Sequence, residues 1–155
     1  GEPGPIDLNQ LVRDTADLVR PGLTAGGLTL DLAAAPALPF VQGHANQLQQ
    51  VMLNLVTNAI DATPPGGTVR VATRPAPETT EVELEVSDTG RGIPSTELKR
   101  IFEPFFSTKG PGKGTGLGLF ISAQIVREHK GRIDAASEVG HGSSFRVRLP
   151  AGGPA

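Results

Sequence analysis

The sequence predicts an α/β domain whose β-sheet has one buried face and one face in water. Three segments alternate apolar and polar residues, namely Thr68–Arg74, Glu81–Ser87 and Ser143–Leu149. This alternation is typical of strands that pack one face on a core and leave the other solvated. Two further segments, one following Asp7 and one over Gln47–Ala62, repeat apolar residues with the period of an amphipathic helix.

The size and charge of the chain restrict its function. Its 155 residues are most simply one domain, with an ordered core expected over about 7–150. The formal net charge of −2 gives no indication of binding to nucleic acid or to a membrane surface. The absence of cysteine excludes disulfides and thiolate metal sites. No apolar run approaches the roughly 18 residues of a membrane span and no signal peptide opens the chain. We therefore expect a cytoplasmic domain, whether its parent is anchored or soluble.

Capping and turn residues predict the remaining elements. Asp7 is the predicted N-cap of the first helix, with Gln10 three residues later as in a capping box, and this helix should end near Pro21 or one turn later. The other predicted elements are a strand over Leu28–Leu32, a loop over Pro36–Gln42 with a short strand at Phe40–Val41, a short helix over Pro94–Ile101 and a helix from about Leu117 to His129. The terminal segments GEPGP and PAGGPA are predicted to be linkers or frayed ends.

The charges on the three alternating strands predict their order in the sheet. The segment Glu81–Ser87 carries glutamates on its polar side, whereas the segments Thr68–Arg74 and Ser143–Leu149 carry arginines there. Opposite charges facing each other across neighbouring strands stabilise a sheet. The acidic strand should therefore lie between the two basic strands, with Glu83 opposite Arg70 or opposite Arg146 or Arg148.

A polar stripe runs along the helix Gln47–Ala62 and contains no Lys, Arg or Glu. Its members are Gln47, Gln50, Asn54, Asn58 and Asp61. Asparagine is a poor helix former, and two asparagines one turn apart in mid-helix break a local preference, as functional sites often do. A side-chain carbonyl oxygen of this kind is a hard ligand that suits Mg²⁺. The alternative for this stripe alone is an ordinary solvated helix face.

The acidic strand runs directly into Asp88-Thr89-Gly90-Arg91-Gly92-Ile93-Pro94. A carboxylate at a strand end followed by two closely spaced glycines places an acceptor beside a backbone that a ligand can approach closely. Such an acceptor suits an exocyclic amine. The alternative is an ordinary Asp-Gly turn.

A phenylalanine-rich segment, Phe102–Lys109, leads into the glycine-rich stretch Gly110–Leu119. The backbone N–H groups of this stretch and of the following helix start can bind phosphate oxygens, and Lys109 and Lys113 can add positive charge. A solvated mobile loop is the alternative for either lysine. Neither a P-loop nor a dinucleotide-binding glycine pattern fits, because Lys113 is followed by glycine and Leu119 stands where the third glycine would be.

Together these segments resemble the ATP-binding catalytic domain of sensor histidine kinases, in the superfamily shared with DNA gyrase, the mismatch-repair ATPases and the large heat-shock chaperone. The segment NLVTNAIDA is similar to the asparagine box of that family, DTGRGIP to its first glycine box, FEPFFSTK to its phenylalanine box and GTGLGLFI to its second glycine box. The segment GHGSSFRVRLP resembles the closing strand. The four boxes in this order are specific for the family, and the lid is most similar to that of nitrogen-regulatory kinases.

The resemblance implies a two-layer α/β sandwich, with a mixed sheet of about five strands and three helices on one face. It implies that Asp88 accepts a hydrogen bond from the adenine amine, that Ser143 assists through water, and that Asn58 binds Mg²⁺. Asn54 would lie beside the phosphates, and the segment from Phe102 to Lys113 would form a mobile lid. The residues that we expect to act in catalysis are Asn54, Asn58 and Lys109. The residues that we expect to bind nucleotide are Asn54, Asn58, Asp61, Ala62, Asp88, Gly90, Gly92, Ile93, Phe102, Lys109, Lys113, Gly114, Thr115, Gly116, Leu117, Gly118, Leu119 and Ser143.

The resemblance also implies the reaction, which is transfer of the γ-phosphoryl group of MgATP to a histidine. In the family this histidine lies on a separate helical dimerisation domain, which we do not find in this sequence, and a response regulator then receives the phosphoryl group. His44, His129 and His141 lie at a helix start, a helix end and a glycine-rich turn, which are the wrong contexts for that acceptor. Without the dimerisation helices we expect a monomer.

Three alternatives remain for the function. One is a regulatory or degenerate module that binds nucleotide without phosphotransfer, and the complete set of boxes disfavours it. Another is a protein serine kinase of the anti-sigma type, which the nitrogen-regulatory lid disfavours. The third is a self-sufficient ATPase of the superfamily. In those hydrolases a water-activating glutamate stands at the position of Asn54, and asparagine cannot act as a general base.

Overall fold

In a computed structural model the chain folds as a two-layer α/β sandwich. The structure describes residues 2–76, 80–107 and 116–152. In chain order the elements are β1 (Gly4–Ile6), α1 (Leu8–Ala25), β2 (Thr29–Ala33), β3 (Val41–Gly43), α2 (Ala45–Ala62), β4 (Thr68–Pro75), β5 (Glu81–Asp88), α3 (Ser95–Leu98), α4 (Gly118–Glu128), β6 (Arg132–Glu138) and β7 (Gly142–Pro150). None of the described helices combines the length and the hydrophobicity that a membrane span requires.

The main sheet has five strands in the order β2-β4-β5-β7-β6. The strands β2 and β4 are parallel, and the other neighbouring pairs are antiparallel, so the sheet is mixed. The predicted position of β5 between β4 and β7 is confirmed. Glu83 lies opposite Arg74 on one side and Arg148 on the other, whereas Arg70 lies opposite Ser87 and forms an ion pair with Asp31.

The face of the sheet that carries no helices is covered by ion pairs rather than left fully in water. The pairs on this face are Arg74–Glu83, Arg74–Glu85, Arg146–Glu85, Arg148–Glu83, Arg70–Asp31 and Arg132–Glu81. The arginine side chains lie over the glutamates, so that Glu83 is only 5% exposed although it is on the open face.

The opposite face packs against α1, α2 and α4, and the core lies between the two layers. Every second residue of the central strands points into this core, as the alternation predicts. The largest fully buried side chains are Leu8, Val41, Val51, Met52, Leu55, Val56, Leu84, Val69, Val82, Val86, Val126 and Leu149.

The first helix begins and ends close to the predicted residues. The Asp7 side chain accepts the backbone N–H of Gln10 at 3.2 Å, which satisfies one of the free N–H groups at the helix start. The reciprocal half of the predicted capping box is wrong, because the Gln10 side chain instead donates to Asp14 at 2.9 Å. The helix continues one turn past Pro21 and ends at Ala25.

The structure corrects the prediction at both chain ends. The segment GEPGP is not only linker, because β1 pairs with β3 and the last residue of β1, Ile6, is buried in the core. Proline is tolerated in such an edge strand because its missing N–H need not enter the main ladder. At the other end Ala151 forms a bridge with Val41, and Gly152 donates its N–H to the carbonyl of Phe40.

The other differences concern strand β6 and two short elements. No strand was predicted over Arg132–Glu138, because Ile133 is the one large apolar residue on its inward side and the other two, Ala135 and Ser137, are small and give a weak apolar signal. The helix predicted over Pro94–Ile101 is confined to Ser95–Leu98 and continues as turns. The short strand predicted at Phe40–Val41 is present as β3, one residue further along.

His129 joins the end of α4 to the start of α2. Its Nδ1 lies 2.8 Å from the carbonyl oxygen of Ile125 and therefore donates a proton to it. Its Nε2 then accepts the backbone N–H of His44 at 3.1 Å. A side chain at Gly43 would collide with the same imidazole ring. His129 is buried and thus has a structural role at this junction.

Candidate nucleotide-binding site

Asn54 connects α2 to the first turn of α4. Its amide nitrogen donates to the carbonyl oxygen of Gly118 and to the hydroxyl of Ser122, both at 3.1 Å. Its amide oxygen accepts a hydrogen bond from Gln50 at 3.0 Å. Both of its amide hydrogens and one lone pair of its oxygen are therefore engaged, and the orientation of this amide is fixed.

Asn58 lies one turn further along the same face of α2 and is half-buried. Its side chain makes no hydrogen bond within the described part of the chain, in contrast to Asn54. An amide oxygen that is held on a rigid helix but has no partner is suited to bind a cation.

The donor set at this site fits Mg²⁺ that is shared with phosphates. Within residues 2–76, 80–107 and 116–152 no group of three or more His, Cys, Asp or Glu side chains could hold a metal ion. Mg²⁺ keeps several waters and is commonly bound through one or two protein ligands together with substrate phosphates. A single amide oxygen of Asn58 is compatible with that mode and not with a cage made by the protein alone.

Asp88 ends β5 on the face of the sheet that carries the helices. Its side chain is 8% exposed, and its Oδ1 accepts the backbone N–H of Gly90 at 2.8 Å. Burial raises the pKa of Asp88, although hydrogen bonds from the backbone of Gly90 and Ser143 and the charge of Arg91 act in the opposite direction. The carboxylate is therefore poorly solvated, and a donor on a ligand would replace the missing water.

The loop after Asp88 is attached to the end of α2. Arg91 donates its backbone N–H to the carbonyl of Ala62 at 3.0 Å and its Nη1 to the carbonyl of Asp61 at 3.2 Å. A side chain at Gly90 would collide with the carbonyl of Ala62. Asp61 and Ala62, both predicted to bind nucleotide, use these backbone oxygens to hold the loop beside Asp88.

The same loop is attached to β6 on its other side. The backbone N–H of Ile93 donates to the hydroxyl of Ser137 at 2.7 Å. Gly92 has a φ of 76° and lies so close to the carbonyl of Glu138 that a Cβ atom would collide with it. Ser143, which lies directly opposite Asp88 in the sheet, has its hydroxyl 2.8 Å from that of Ser137.

The phenylalanine segment borders the site between α3 and α4. Phe102 is half-buried and packs edge-to-face against Phe145, with 6.3 Å between the ring centroids. Phe105 is 75% exposed and donates its backbone N–H to the carbonyl of Gly116 at 2.8 Å. This contact places Gly116, Leu117 and the start of α4 next to the segment.

The start of α4 presents backbone N–H groups that the helix itself does not use. Gly118 and Leu119 form its first two residues, and Leu117 is its N-cap. Such a helix start favours a phosphate group. Four predicted ligands, Lys109, Lys113, Gly114 and Thr115, lie outside the described residues.

The chain is similar to a known protein family and to solved structures over most of its length. The family described as "Histidine kinase-, DNA gyrase B-, and HSP90-like ATPase" matches residues 43–153. The chain belongs to this family. The catalytic domain of the histidine kinase ThkA is 30% identical with a TM-score of 0.85, and the match covers 97% of this chain and 99% of that one. The sequence is therefore that of a histidine kinase catalytic domain.

Longer kinases contain a region similar to this kinase domain. The sensor histidine kinase ZraS of Klebsiella oxytoca is 38% identical over 148 residues, which are 96% of this chain and 31% of that protein. The full-length structure of ShkA in complex with AMPPNP is 30% identical with a TM-score of 0.87, covering 99% of this chain and 32% of that one. The kinase domain thus spans about a third of the length of these two relatives.

Two contacts of the kinase domain were not predicted from its sequence. Ser122 fixes the orientation of the Asn54 amide. The only indication of this contact in the sequence is a hydroxyl residue on the otherwise apolar side of α4. Ser137 links Ile93 to Ser143 from a strand that was itself not predicted. The site-residue roles given by the resemblance remain predictions. Most of the described members lie on or next to α2, the start of α4 and the end of β5, and α2 contacts both other elements.

Proposed function

We propose that the chain binds MgATP and transfers its γ-phosphoryl group to a histidine on a helical phosphoacceptor domain of the same kinase. A response regulator would then receive the phosphoryl group. The observation that carries the proposal is the contrast between the two asparagines of α2. Asn54 is fixed against the first turn of α4, whereas Asn58, one turn away, has no partner within the described residues.

The base of the nucleotide would bind at Asp88. The carboxylate is buried, and Gly90 and Ser143 orient it through their backbone N–H groups. A carboxylate is an acceptor only, so that it favours a base with an exocyclic amine. Gly90, Gly92 and Ile93 would line this pocket, because the loop is attached to α2 and to β6 on its two sides.

The phosphates would lie between α2 and the start of α4. Mg²⁺ would supply charge neutralisation to the phosphates, and Asn58 would be its protein ligand. The N–H groups at Gly118 and Leu119 would stabilise the phosphate oxygens. Asn54 would set the distance between Asn58 on α2 and the start of α4, because its side chain binds α4 directly. As an amide it does not remove a proton from water, which favours transfer to a histidine over hydrolysis.

The first test is thermal unfolding with and without saturating MgATP. The chain has no Trp or Tyr, so that calorimetry is the suitable method. A ligand at about a hundred times its dissociation constant should add about 2.7 kcal/mol to the free energy of unfolding.

Asp88→Asn should reduce ATP affinity by roughly 1–3 kcal/mol. The matched control is Asp31→Asn, an exposed aspartate on the outer face of β2. An unchanged affinity in Asp88→Asn would contradict the proposed adenine site.

A second test separates the metal from the base. Asn58→Asp should change the affinity for ADP more in the presence of Mg²⁺ than in its absence, because only the metal ligand is altered. Asn46→Asp, at the exposed start of the same helix, is the control. An equal change with and without Mg²⁺ would contradict the role of Asn58. Nucleotide binding without phosphotransfer to a supplied histidine-bearing helical domain would instead favour the regulatory module.

A further inference from the structure

Three polar side chains lie in one row across neighbouring strands beside the proposed base pocket. Asp88 on β5 is directly opposite Ser143 on β7, and Ser143 is directly opposite Ser137 on β6. Directly opposite residues point to the same face of a sheet. Asp88 and Ser143 alternate in phase with the core residues Val86 and Phe145, so the row faces the helices and the pocket.

The hydroxyl of Ser137 has three hydrogen-bonding neighbours. The N–H of Ile93 is 2.7 Å away, the carbonyl oxygen of Gly142 is 3.0 Å away and the hydroxyl oxygen of Ser143 is 2.8 Å away. A serine hydroxyl has one proton and two acceptor lone pairs. The N–H of Ile93 can only donate and the carbonyl of Gly142 can only accept. The contacts are therefore all satisfied only if Ser143 donates its proton to Ser137.

This assignment fixes what Ser143 offers to a ligand. Its single proton points to Ser137, so that only lone pairs remain for the pocket. The ionised carboxylate of Asp88 also offers only lone pairs. Two acceptors thus stand side by side at the place where the edge of the base would lie.

We propose that Ser137 is a specificity-determining residue, which selects 6-amino purine nucleotides over 6-oxo purine nucleotides by holding the Ser143 hydroxyl as an acceptor. This inference rests on the proposed binding of the base at Asp88. An exocyclic amine has two hydrogens that can reach both acceptors, directly or through water. A 6-oxo group would place a third acceptor where the amine donates. The N1–H of a 6-oxo purine lies one ring position away, so that in the same orientation of the base at least one of the two acceptors loses its donor.

The hydrogen bond between Ser137 and Ile93 has an effect of its own, which the experiment must separate from the orientation of the Ser143 hydroxyl. Its bond to Ile93 holds the glycine loop on β6, and losing that bond would loosen the whole pocket. A loosened pocket lowers the affinity for every purine nucleotide alike. Only a change in the ratio of the affinities for a 6-amino and a 6-oxo purine nucleotide reports the orientation of the Ser143 hydroxyl.

The experiment measures the dissociation constants of ATP and ITP by titration calorimetry, because the base of ITP is a 6-oxo purine. We expect the chain to prefer ATP by at least about tenfold, and Ser137→Ala to reduce this preference by about three- to tenfold, the value of one neutral hydrogen bond. Ser137→Thr retains the hydroxyl and should keep the preference. Ser144→Ala is the matched control, because its hydroxyl binds Glu85 at 2.7 Å on the outer face.

The outcomes distinguish this inference from the function on which it rests. If the chain binds neither nucleotide, the proposed function fails and the inference fails with it. If ATP binds and depends on Asp88 but Ser137→Ala keeps the full preference, only the inference is overturned. If ATP and ITP bind equally, the inference is overturned together with the proposed recognition of an exocyclic amine by Asp88, whereas MgATP binding itself still stands. If Ser137→Ala does not fold, Ser143→Ala takes its place. An unchanged preference in that variant would overturn the inference in the same way.

Discussion

Glu85 on β5 and Arg146 on β7 lie directly opposite each other and form an ion pair of 2.9 Å on the open face of the sheet. Burial disfavours the charged form of Glu85, but hydrogen bonds from Arg146, Ser144 and Arg74 together outweigh it and lower the pKa of Glu85 to about 2. A carboxylate with a lowered pKa in the folded state stabilises the fold above its unfolded pKa, and this contribution is lost as the pH falls through the folded pKa.

Glu85→Gln should therefore lower the free energy of unfolding at pH 7 by roughly 1–3 kcal/mol, after allowance for solvent screening. The difference from the unchanged chain should shrink between about pH 5 and pH 2. Denaturant unfolding at a series of pH values measures it. Glu103→Gln is the control, because the ion pair of Glu103 with Arg100 is exposed and should contribute little. A difference for Glu85→Gln that stays constant down to pH 2 would contradict the assignment.

The pKa of Asp88 is shifted in the opposite direction to that of Glu85, and the consequence should appear in ligand binding. Its pKa is raised, mainly by burial, so that it takes up a proton at a higher pH than an ordinary aspartate. Protonation replaces an acceptor by a donor, and the affinity for ATP should fall as the pH decreases from 7 toward 4. The measurement is the ATP affinity of the unchanged chain divided by that of Asp88→Asn at each pH. Titration of the ATP phosphates affects both proteins equally and cancels in this ratio. A ratio that does not change with pH would show that Asp88 does not contact the base.

Two glycines near β6 allow the cost of a strained backbone to be measured separately from the cost of close packing. Gly92 and Gly140 have φ values of 76° and 84°, but only Gly92 packs against a carbonyl, that of Glu138. Gly140→Ala should cost about 1–2 kcal/mol through its backbone conformation alone. Gly92→Ala should cost more and should also weaken ATP binding, because the glycine loop must move away from β6. Equal unfolding free energies and equal ATP affinities in the two variants would refute the importance of this close approach.

The contact between Asn54 and Ser122 should appear as an energetic coupling. Ser122→Ala removes one of the two acceptors of the Asn54 amide, and Asn54→Ala removes the whole connection to α4. Each variant should lower the free energy of unfolding by roughly 1–3 kcal/mol. In a double-mutant cycle the two effects should fall short of additivity by about 0.5–1.5 kcal/mol. Strict additivity would mean that the two side chains do not act together.

The sequence predicted those parts of the fold whose signal is local. The alternation in β4, β5 and β7 and the charges on their outer sides were sufficient for the strand order. The strand β6 was missed because Ala135, Ala136 and Ser137 give little apolar contrast. The strand β1 was missed because Gly4 and Pro5 favour a linker, and only its pairing with β3 makes it a strand.

The candidate site, whose residue roles remain predictions, shows the same division between local and distant signals. Asp88 and Asn58 are recognisable from their place at a strand end and on a helix face. The roles of Ser122 and Ser137 depend on partners that are distant in the chain, since Asn54 lies 68 residues from Ser122 and Ile93 lies 44 residues from Ser137. No local pattern contains such a pair, so that only the folded arrangement assigns the two serines.

The direction of the Asn54 amide limits how this domain could evolve into a hydrolase. The superfamily's ATPases, which the chain resembles, carry a glutamate at this position. Here the position must donate, because the carbonyl of Gly118 and the hydroxyl of Ser122 lie within hydrogen-bonding distance of the amide nitrogen. A glutamate introduced alone would set a carboxylate against the carbonyl oxygen of Gly118. A domain that carries Asn54→Glu alone would therefore lose the contact between α2 and α4. The first turn of α4 would have to change together with Asn54.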